Sequence, residues 1–244
     1  MGKRHLKRLA APRTWKLRRK EHVWAVKPRP GPHPQERSLP LLLVVRDVLG
    51  YARNSREAKK IIHEGSIVVN GKVRKDFKFS VGLMDILQIP KTKEQSLVLF
   101  DKKGKIILTK IKKKESKSRL CRIVDKTVVD GGHIQLNLHD GTNYLVKVKD
   151  PKKPKEDIYK TKDTVLMNLK DNSLSGHIPF KEGNLALIIG GAHMGEVAKI
   201  EEIRVVRSPN PNIVVLSSND KKFQTIDDYL FMIGENKPVI SEVV

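Results

Sequence analysis

Cysteine, aromatic residues and long apolar runs are all scarce in this chain of 244 residues. The one cysteine, Cys121, excludes an intrachain disulfide and a zinc cluster built on several thiolates. Aromatic residues make up 5% of the sequence, which favours several small cores over one large core. No apolar run exceeds the five residues of 41–45, which is far too short for a membrane-spanning helix. The N-terminus also lacks the apolar segment of a secretory signal.

Acidic residues are few as well, with 27 Asp+Glu against 49 Lys+Arg and a formal net charge of +22. Self-repulsion of this size costs stability unless a polyanion neutralises it, and nucleic acid is the commonest such partner. A basic membrane-surface protein is the alternative, but no convincing amphipathic anchoring helix is present. The N-terminus lacks acidic residues through Lys20, as mitochondrial presequences do, but it also lacks the serines typical of them. N-myristoylation is disfavoured because Leu6 occupies the position that requires Ser or Thr. We therefore expect a cytoplasmic protein.

The sequence contains no recognisable catalytic pattern. Gly-x-Ser-x-Gly and Cys/His signatures are absent, and the eight histidines are scattered. The closest pair, His133 and His139, would share one face of a strand, but we find no carboxylate or cysteine partners at metal-ligand spacing. We therefore predict no catalytic residue, no cofactor, no metal site and no small-molecule substrate.

Residues 1–37 form a basic, proline-rich arm with twelve Lys/Arg against two Glu. Such a segment cannot bury enough apolar surface to order itself alone, and alternate prolines from Pro28 to Pro34 favour an extended path. Trp15 and Trp24 are unusual in a solvated tail and suggest rings that stack or pack at an RNA contact. We expect deletion of the arm to weaken RNA binding without unfolding the rest. Its candidate RNA contacts are Lys3, Arg4, Lys7, Arg8, Arg13, Arg18 and Arg19.

Two helices are predicted next. Apolar residues between Leu39 and Gly50 recur at helical spacing, and Gly50 is a plausible stop. A second helix begins at a cap formed by Asn54 or Ser55, with Glu57 at capping-box spacing from Asn54.

The second helix is followed by a hairpin. Gly65 ends the helix, 67–69 has strand composition, and Asn70-Gly71 suits a type I′ turn with two positive φ angles. A further strand is expected at 85–89. Cations crowd the polar face of the helix and the return strand of the hairpin, and no catalytic group accompanies them. The candidate RNA contacts here are Arg53, Ser55, Arg56, Lys59, Lys60, Lys72, Arg74 and Lys75.

The segment 52–73 resembles the S-four-type RNA-binding fold, in the order of its cap, helix, glycine stop and hairpin. That fold occurs in ribosomal proteins, pseudouridine synthases and some tRNA synthetases, and the resemblance implies that the second helix and adjoining strand loops meet RNA. The synthases use an aspartate in an Arg-Leu-Asp context. This chain has Arg46-Asp47 on a predicted helix and no such motif.

Residues 97–175 carry the signals of an all-β module. Short alternating segments, including 120–129, 133–138 and 142–148, are separated by turn residues, which is typical of a small barrel. We also predict strands near 213–216 and 222–225, and a closing helical turn over 227–233.

A glycine-rich block spans 183–203, where an apolar strand enters a tight loop and a second strand follows. A nucleotide-binding loop is disfavoured, because Gly-x-Gly-x-x-Gly and Gly-Lys-Ser/Thr are missing and a strand follows. The block resembles the KOW motif of ribosomal proteins and transcription–translation factors, in which the loop touches RNA or protein. The loop residues are Gly190, Gly191, His193 and Gly195. His193, where many members are basic, is either a phosphate contact or a solvated loop residue.

The order of modules resembles the archaeal and eukaryotic small-subunit ribosomal protein family S-four-e. We predict an α+β, multidomain chain: an arm (1–37), an S-four-type RNA-binding domain (38–95), a central β domain (96–175) and a KOW-containing SH3-like barrel with a C-terminal extension (176–244). The resemblance implies a non-enzymatic constituent of the small ribosomal subunit. Its implied partners are the large rRNA of that subunit and neighbouring ribosomal proteins. An RNA-modifying enzyme and a KOW-type elongation factor that contacts RNA polymerase are the alternatives.

Overall fold

The computed structural model describes residues 5–150, 154–218 and 221–241. The chain divides into two compact units, Met1–Arg119 and Leu120–Val244. β-Strands dominate both units, and the two longer helical segments lie in the first. This is the α+β, multidomain class that the sequence predicts.

The first helical segment of unit 1 is α-helical over Leu41–Leu43 and π-helical over Val44–Val48. Its wider turn is visible in the Leu49 N–H, which donates to the Val44 carbonyl at 2.9 Å. The apolar run that starts this segment is wholly buried, which fixes its position in the core. Gly50 then reverses the chain with φ +71°.

The second helix of unit 1, Ser55–His63, follows directly. The Asn54 side chain caps it by accepting from the backbone N–H groups of Arg56 and Glu57, both at 2.9 Å. The reciprocal bond differs from the predicted capping box, since the Glu57 carboxylate accepts from the N–H of Arg53 rather than from that of the cap residue.

Five antiparallel strands form the main sheet of unit 1. In spatial order they are Lys72–Val73, Val68–Val69, Ile86–Ile89, Glu94–Phe100 and Ile106–Lys110. The predicted Asn-Gly turn joins the first two, with φ +51° at Asn70 and +75° at Gly71. The predicted domain boundary at 95/96 lies inside the fourth strand. The sheet continues to Lys110 because the apolar face of that strand completes the same core.

The arm is folded onto unit 1 rather than extended from it. Leu6–Lys7 pairs with Trp24–Ala25 within the arm. The Arg29 N–H donates to the Lys78 carbonyl at 3.0 Å, and the Thr14 carbonyl accepts from the Ile106 N–H at 2.8 Å. Just after the arm, Ser38–Pro40 pairs with Ser80–Gly82. The indole of Trp15 is 1% exposed, so it belongs to the core. Short 3₁₀ turns occupy Arg8–Ala10, Gln35–Arg37 and Glu115–Lys117. Packing against the S-four-type domain supplies the apolar burial that the arm lacks on its own.

Unit 2 contains two five-stranded sheets. The order in the first is Asn143–Val146, His133–Leu138, Ser118–Val129, Thr164–Asn168 and Leu174–Ile178, with a 3₁₀ turn at Asp130–Gly132. Cys121 is fully buried in its core, as a small apolar residue would be. The predicted boundary at 175/176 falls within the last of these strands.

The order in the second sheet is Lys221–Ile226, Ile213–Ser218, Val197–Arg204, Leu185–Ile188 and Leu230–Gly234. The helical turn predicted over 227–233 was wrong in its second half. Only Asp227–Tyr229 forms a 3₁₀ turn, and the strand Leu230–Gly234 then pairs with Leu185–Ile188. The apolar residues of this strand are buried on both faces, which a single solvated helical turn would not allow.

Candidate nucleic-acid interface

The helix Ser55–His63 separates its apolar and basic residues cleanly. Ala58 and Ile62 are completely buried, whereas Arg56, Lys59 and Lys60 are exposed. Burial of the apolar face therefore fixes the orientation of the helix, and its cationic side chains form a row on the solvent side.

The hairpin brings a second set of cations to the end of this helix. Gly65 terminates the helix with φ +75°, and a Cβ at that position would lie 3.2 Å from the Val73 side chain and 3.5 Å from the Lys75 side chain. The return strand therefore packs against the helix terminus. This contact places the Lys75 side chain beside the end of the helix.

Six cations of this surface are exposed and lack a carboxylate within 4.0 Å among the described residues. They are Arg53, Arg56, Lys59, Lys60, Lys72 and Lys75. Some other exposed cations of unit 1 do have carboxylate partners, as Lys110 has Glu94 at 3.0 Å and Arg18 has Glu21 at 3.0 Å. We call these six residues the basic face; no carboxylate of the described residues pairs with their side chains.

Two phenylalanines lie beneath this surface, and the sequence analysis did not identify them. The ammonium group of Lys59 lies 4.6 Å from the centre of the Phe77 ring, and that of Lys78 lies 5.7 Å from it. The Arg74 guanidinium lies 4.4 Å from the centre of the Phe79 ring. Such cation–π contacts restrain long side chains without using up their charge. The alternation of Phe and Lys over 77–79 was the available signal.

Ser55, predicted to contact RNA, is held by a neighbouring residue of the chain. Its hydroxyl accepts a hydrogen bond of 2.7 Å from the guanidinium of Arg46, which also pairs with Asp47 at 2.8 Å. Arg46 thus ties the first helical segment to the start of the second.

The arm residues predicted to contact RNA fall into different environments. Lys7 and Arg13 are exposed, and Arg18 pairs with Glu21 at 3.0 Å. The Arg19 guanidinium donates to three arm carbonyls at 2.7–3.0 Å, so it holds the arm together. Arg8, also predicted to contact RNA, is 5% exposed. Lys3 and Arg4 lie outside the described residues.

The two tryptophans of the arm also differ. Trp15 is buried, whereas Trp24 is 58% exposed and lies 5.6 Å from the ring of His5. Only Trp24 presents a ring that an unpaired base could reach.

A buried carboxylate connects the arm with the hairpin. The imidazole of His33 and the backbone N–H of Gly82 donate to Asp85 Oδ2 at 2.9 and 2.8 Å, and the Asn70 amide donates to Asp85 Oδ1 at 2.6 Å. The Asn70 side-chain oxygen in turn accepts from the N–H of Ile86 at 2.9 Å. The turn of the basic hairpin is therefore fixed by the same carboxylate that anchors the arm.

The pKa of Asp85 reflects these partners. Burial would raise the pKa, but the charge and hydrogen bond of His33, with the donors of Gly82 and Asn70, outweigh burial and bring it below its ordinary value. Asp85 is therefore ionised in the folded protein at neutral pH.

The glycine loop of unit 2 owes its composition to close packing. A Cβ at Gly190 would lie 2.6 Å from the ring of Tyr229, and Gly191 and Gly195 have φ of +83° and +85°. His193 is not an isolated loop residue. Its ring stacks on Phe223 at 4.1 Å, and its Nδ1 lies 3.2 Å from a carboxylate oxygen of Glu196. A carboxylate at this distance opposes a phosphate contact by His193.

One group of potential metal ligands occurs in the described part of the chain. Atoms of Cys121, His139 and Asp140 lie within 4.8 Å of one another, so His139 does have the cysteine and carboxylate neighbours that its sequence context did not reveal. The Asp140 carboxylate accepts from the N–H and hydroxyl of Thr142 at 3.1 and 2.6 Å, and His139 Nδ1 accepts from the N–H of Arg122 at 3.2 Å. Two of the three residues, His139 and Asp140, therefore already use potential metal-ligand atoms as hydrogen-bond acceptors.

Comparison with known proteins agrees with this architecture. A family model for the S4 domain matches residues 40–87, a model for the RS4NT (NUC023) domain matches residues 1–36, and a model for ribosomal family S4e matches residues 92–174. Within the described residues, no helix is long and apolar enough to cross a membrane. The fold and the basic face thus define a multidomain protein built around an RNA-binding S4 domain.

Full-length relatives narrow this class. The chain is 54% identical over 240 residues to small ribosomal subunit protein eS4 of Methanococcus maripaludis strain C5, covering 98% of this chain and 97% of the relative. The protein of the same name from Methanocaldococcus jannaschii is 53% identical with the same coverage. The crystal structure of 30S ribosomal protein S4e from Thermoplasma acidophilum matches with a TM-score of 0.68 at 29% identity, covering 82% of this chain and 96% of that one. The chain belongs to the ribosomal protein S4e family, which confirms the predicted resemblance.

Proposed function

We propose that the chain is a structural constituent of the small ribosomal subunit, where it binds the large rRNA of that subunit and supports assembly and translation. The observation that carries this proposal is the basic face of six exposed cations without carboxylate partners. The relatives that match over nearly the whole chain are named small ribosomal subunit proteins. Its partners are accordingly rRNA and neighbouring ribosomal proteins, and its place is the cytoplasmic ribosome.

The proposed RNA contacts are phosphate contacts. Arg56, Lys59 and Lys60 on the helix and Lys72 and Lys75 of the hairpin are exposed, and Lys75 lies beside the helix terminus. We propose that these cations meet successive phosphates of the RNA backbone. Arg74, whose guanidinium packs on the Phe79 ring, and Ser55, whose hydroxyl is bonded to Arg46, are proposed as further RNA contacts. The proposed contacts in the arm are Lys7 and Arg13, with Lys3, Arg4 and Arg18.

This electrostatic binding has a measurable signature. Each phosphate that is neutralised contributes about 0.7–0.9 to the slope of log affinity against log salt concentration. If the three helical cations each meet one phosphate, removing all three lowers the slope by about 2–3.

The test reverses charge at Arg56, Lys59 and Lys60 in the full chain and titrates transcribed fragments of small-subunit rRNA at several salt concentrations. We expect weaker binding and a shallower salt slope. The matched control replaces the exposed Lys102, Lys103 and Lys113 of unit 1 with Glu, which changes the net charge equally at positions outside the basic face. Equal losses in both triple variants would mean that total charge, and not this face, drives binding.

We further propose that residues 176–244 form a KOW-containing SH3-like domain. The support is a strand, a glycine loop and a second strand at 185–204. In the same sheet Leu230–Gly234, the last strand in the sequence, pairs with Leu185–Ile188, the first. Because His193 lies beside Glu196, this loop would approach RNA or protein through backbone N–H groups more readily than through the imidazole.

A further inference from the structure

Unit 1 contains a cavity of about 590 Å³ between the arm and the first helical segment. It is distinct from the basic face, since none of the six residues of that face lines it. The lining residues are Arg8, Trp15, Lys16, Leu17, Arg18, Glu21, Arg46, Asp47, Val48 and Lys105. Five cations thus surround the cavity, against two carboxylates.

Arg8 is the least satisfied of these cations. It is 5% exposed, and its Nε is buried without a hydrogen-bond partner in the described part of the chain. A guanidinium carries five N–H donors and no acceptor, so only an acceptor can satisfy it. A buried polar group without a partner calls for a physical explanation, and an ion or ligand that completes the site is one.

Trp15 presents a second donor of the same kind. Its indole lines the cavity, is 1% exposed, and its Nε1–H has no acceptor among the described residues. Two unsatisfied donors on residues that line one cavity favour a ligand rich in acceptor atoms.

Apart from the exposed Lys16, the other charged residues around the cavity have partners within unit 1. Glu21 is held by Arg18 at 3.0 Å and Asp47 by Arg46 at 2.8 Å, while the Lys105 ammonium donates to the carbonyl of Arg13. The two carboxylates are therefore partly neutralised, and the guanidinium of Arg8 is left to attract an anion.

We propose that this cavity binds a phosphate group, with Arg8 as its principal donor and Trp15 as the second. Phosphate suits the site because guanidinium binds its oxygens through paired, charge-assisted hydrogen bonds. The group can come from the RNA backbone, in which case the site rests on the proposed function, or from a free phosphate anion, in which case it does not.

The first test uses the full chain labelled with ¹⁵N at its two tryptophan side chains. Inorganic phosphate is titrated at constant ionic strength, with sodium chloride as the compensating salt, and the two indole N–H resonances are followed. We expect the Trp15 resonance to move saturably while that of the exposed Trp24 stays in place. Equal drift of both resonances, or movement of neither, overturns the site.

The second test compares Arg8→Gln with Arg207→Gln in the same titration. Arg207 is exposed in unit 2, so its variant matches the charge change outside the cavity. We expect Arg8→Gln to weaken phosphate binding by about tenfold or more, and Arg8→Lys to restore part of it. Unchanged binding in a folded Arg8→Gln protein refutes the assignment. If that variant does not fold, the titration of the unaltered chain still decides.

A third arm replaces inorganic phosphate with a twelve-nucleotide oligouridylate. If the backbone is the source of the phosphate, the Trp15 resonance moves at far lower concentrations of oligonucleotide than of inorganic phosphate, and Arg8→Gln removes the movement. If the oligonucleotide binds in a salt-dependent manner but leaves Trp15 unmoved, an RNA source is refuted while the proposed function stands. If only inorganic phosphate moves Trp15, and neither the oligonucleotide nor rRNA fragments bind, the cavity stands and the proposed function fails.

Discussion

Replacing Asp85 with Ala tests the contact that joins the arm to the basic hairpin. The substitution removes the acceptor of three donors, on His33, Gly82 and Asn70. The side chains of His33 and Asp85 are each 3% exposed, so water cannot replace the lost partner without opening the structure.

The expected cost is large for a single substitution. Removing one partner of a buried ion pair destabilises proteins by about 3–5 kcal/mol, because the other charge is left buried and unpaired. For Asp85→Ala we therefore expect a loss of about 3–5 kcal/mol in the unfolding free energy of unit 1. By comparison, the exposed pair of Arg18 and Glu21 is worth about 0–1 kcal/mol.

The assay is urea unfolding of the full chain followed by tryptophan fluorescence. Both tryptophans, Trp15 and Trp24, lie in unit 1, so excitation near the red edge of protein absorbance reports on the unit that contains Asp85. This choice avoids assuming that both units unfold in one transition.

Two further variants separate the effect of the Asp85 charge from that of its shape, and the effect of a buried carboxylate from that of an exposed one. Asp85→Asn keeps the shape and loses the charge, and it should destabilise unit 1 less than Asp85→Ala. Glu21→Ala is the matched control for loss of an exposed carboxylate. An Asp85→Ala protein whose fluorescence transition lies within 1 kcal/mol of the Glu21→Ala transition would refute the view that the buried carboxylate holds the arm to the hairpin.

Three other outcomes follow from the same structure. The pKa of Asp85 is below its ordinary value of 3.8, so the stabilisation by its carboxylate is complete above that pH and declines as pH falls through the lower folded-state pKa. The difference in unfolding free energy between the unaltered chain and Asp85→Asn should therefore narrow below pH 3.8. A difference that stays constant contradicts this expectation. Gly190→Ala places a Cβ 2.6 Å from the Tyr229 ring and should destabilise unit 2 by about 1–3 kcal/mol in denaturant unfolding followed by circular dichroism; an unchanged midpoint speaks against it. Deleting residues 1–37 removes the buried Trp15 and should lower the thermal midpoint of unit 1, contrary to the sequence-based expectation of a separable arm; calorimetry that finds the midpoint unmoved restores that expectation.

The local elements of the S4 domain were predictable because short-range rules determine them. Asn54 caps its helix, Gly65 ends it, and Asn70-Gly71 turns the hairpin, each through backbone geometry within a few residues. The exposure of Lys59 and Lys60 followed from the same helical period that buried Ala58 and Ile62.

Contacts between distant residues were not predictable in this way. Nothing near His33 in the sequence identifies Asp85, 52 positions away, as its partner. The placement of Phe77 beneath Lys59 and the strand conformation of Leu230–Gly234 also depend on which surfaces meet in the folded chain.

The amino-acid sequence by itself determined the polyanion-binding character, the order of modules and the basic helix and hairpin, because charge, period and turn chemistry are local properties. The tertiary structure decided which cations remain available for RNA. In the folded chain Arg8 is buried, Arg19 donates to backbone carbonyls, and the six residues of the basic face have no carboxylate partner among the described residues. Whether a cation has such a partner depends on chain segments that only folding brings together.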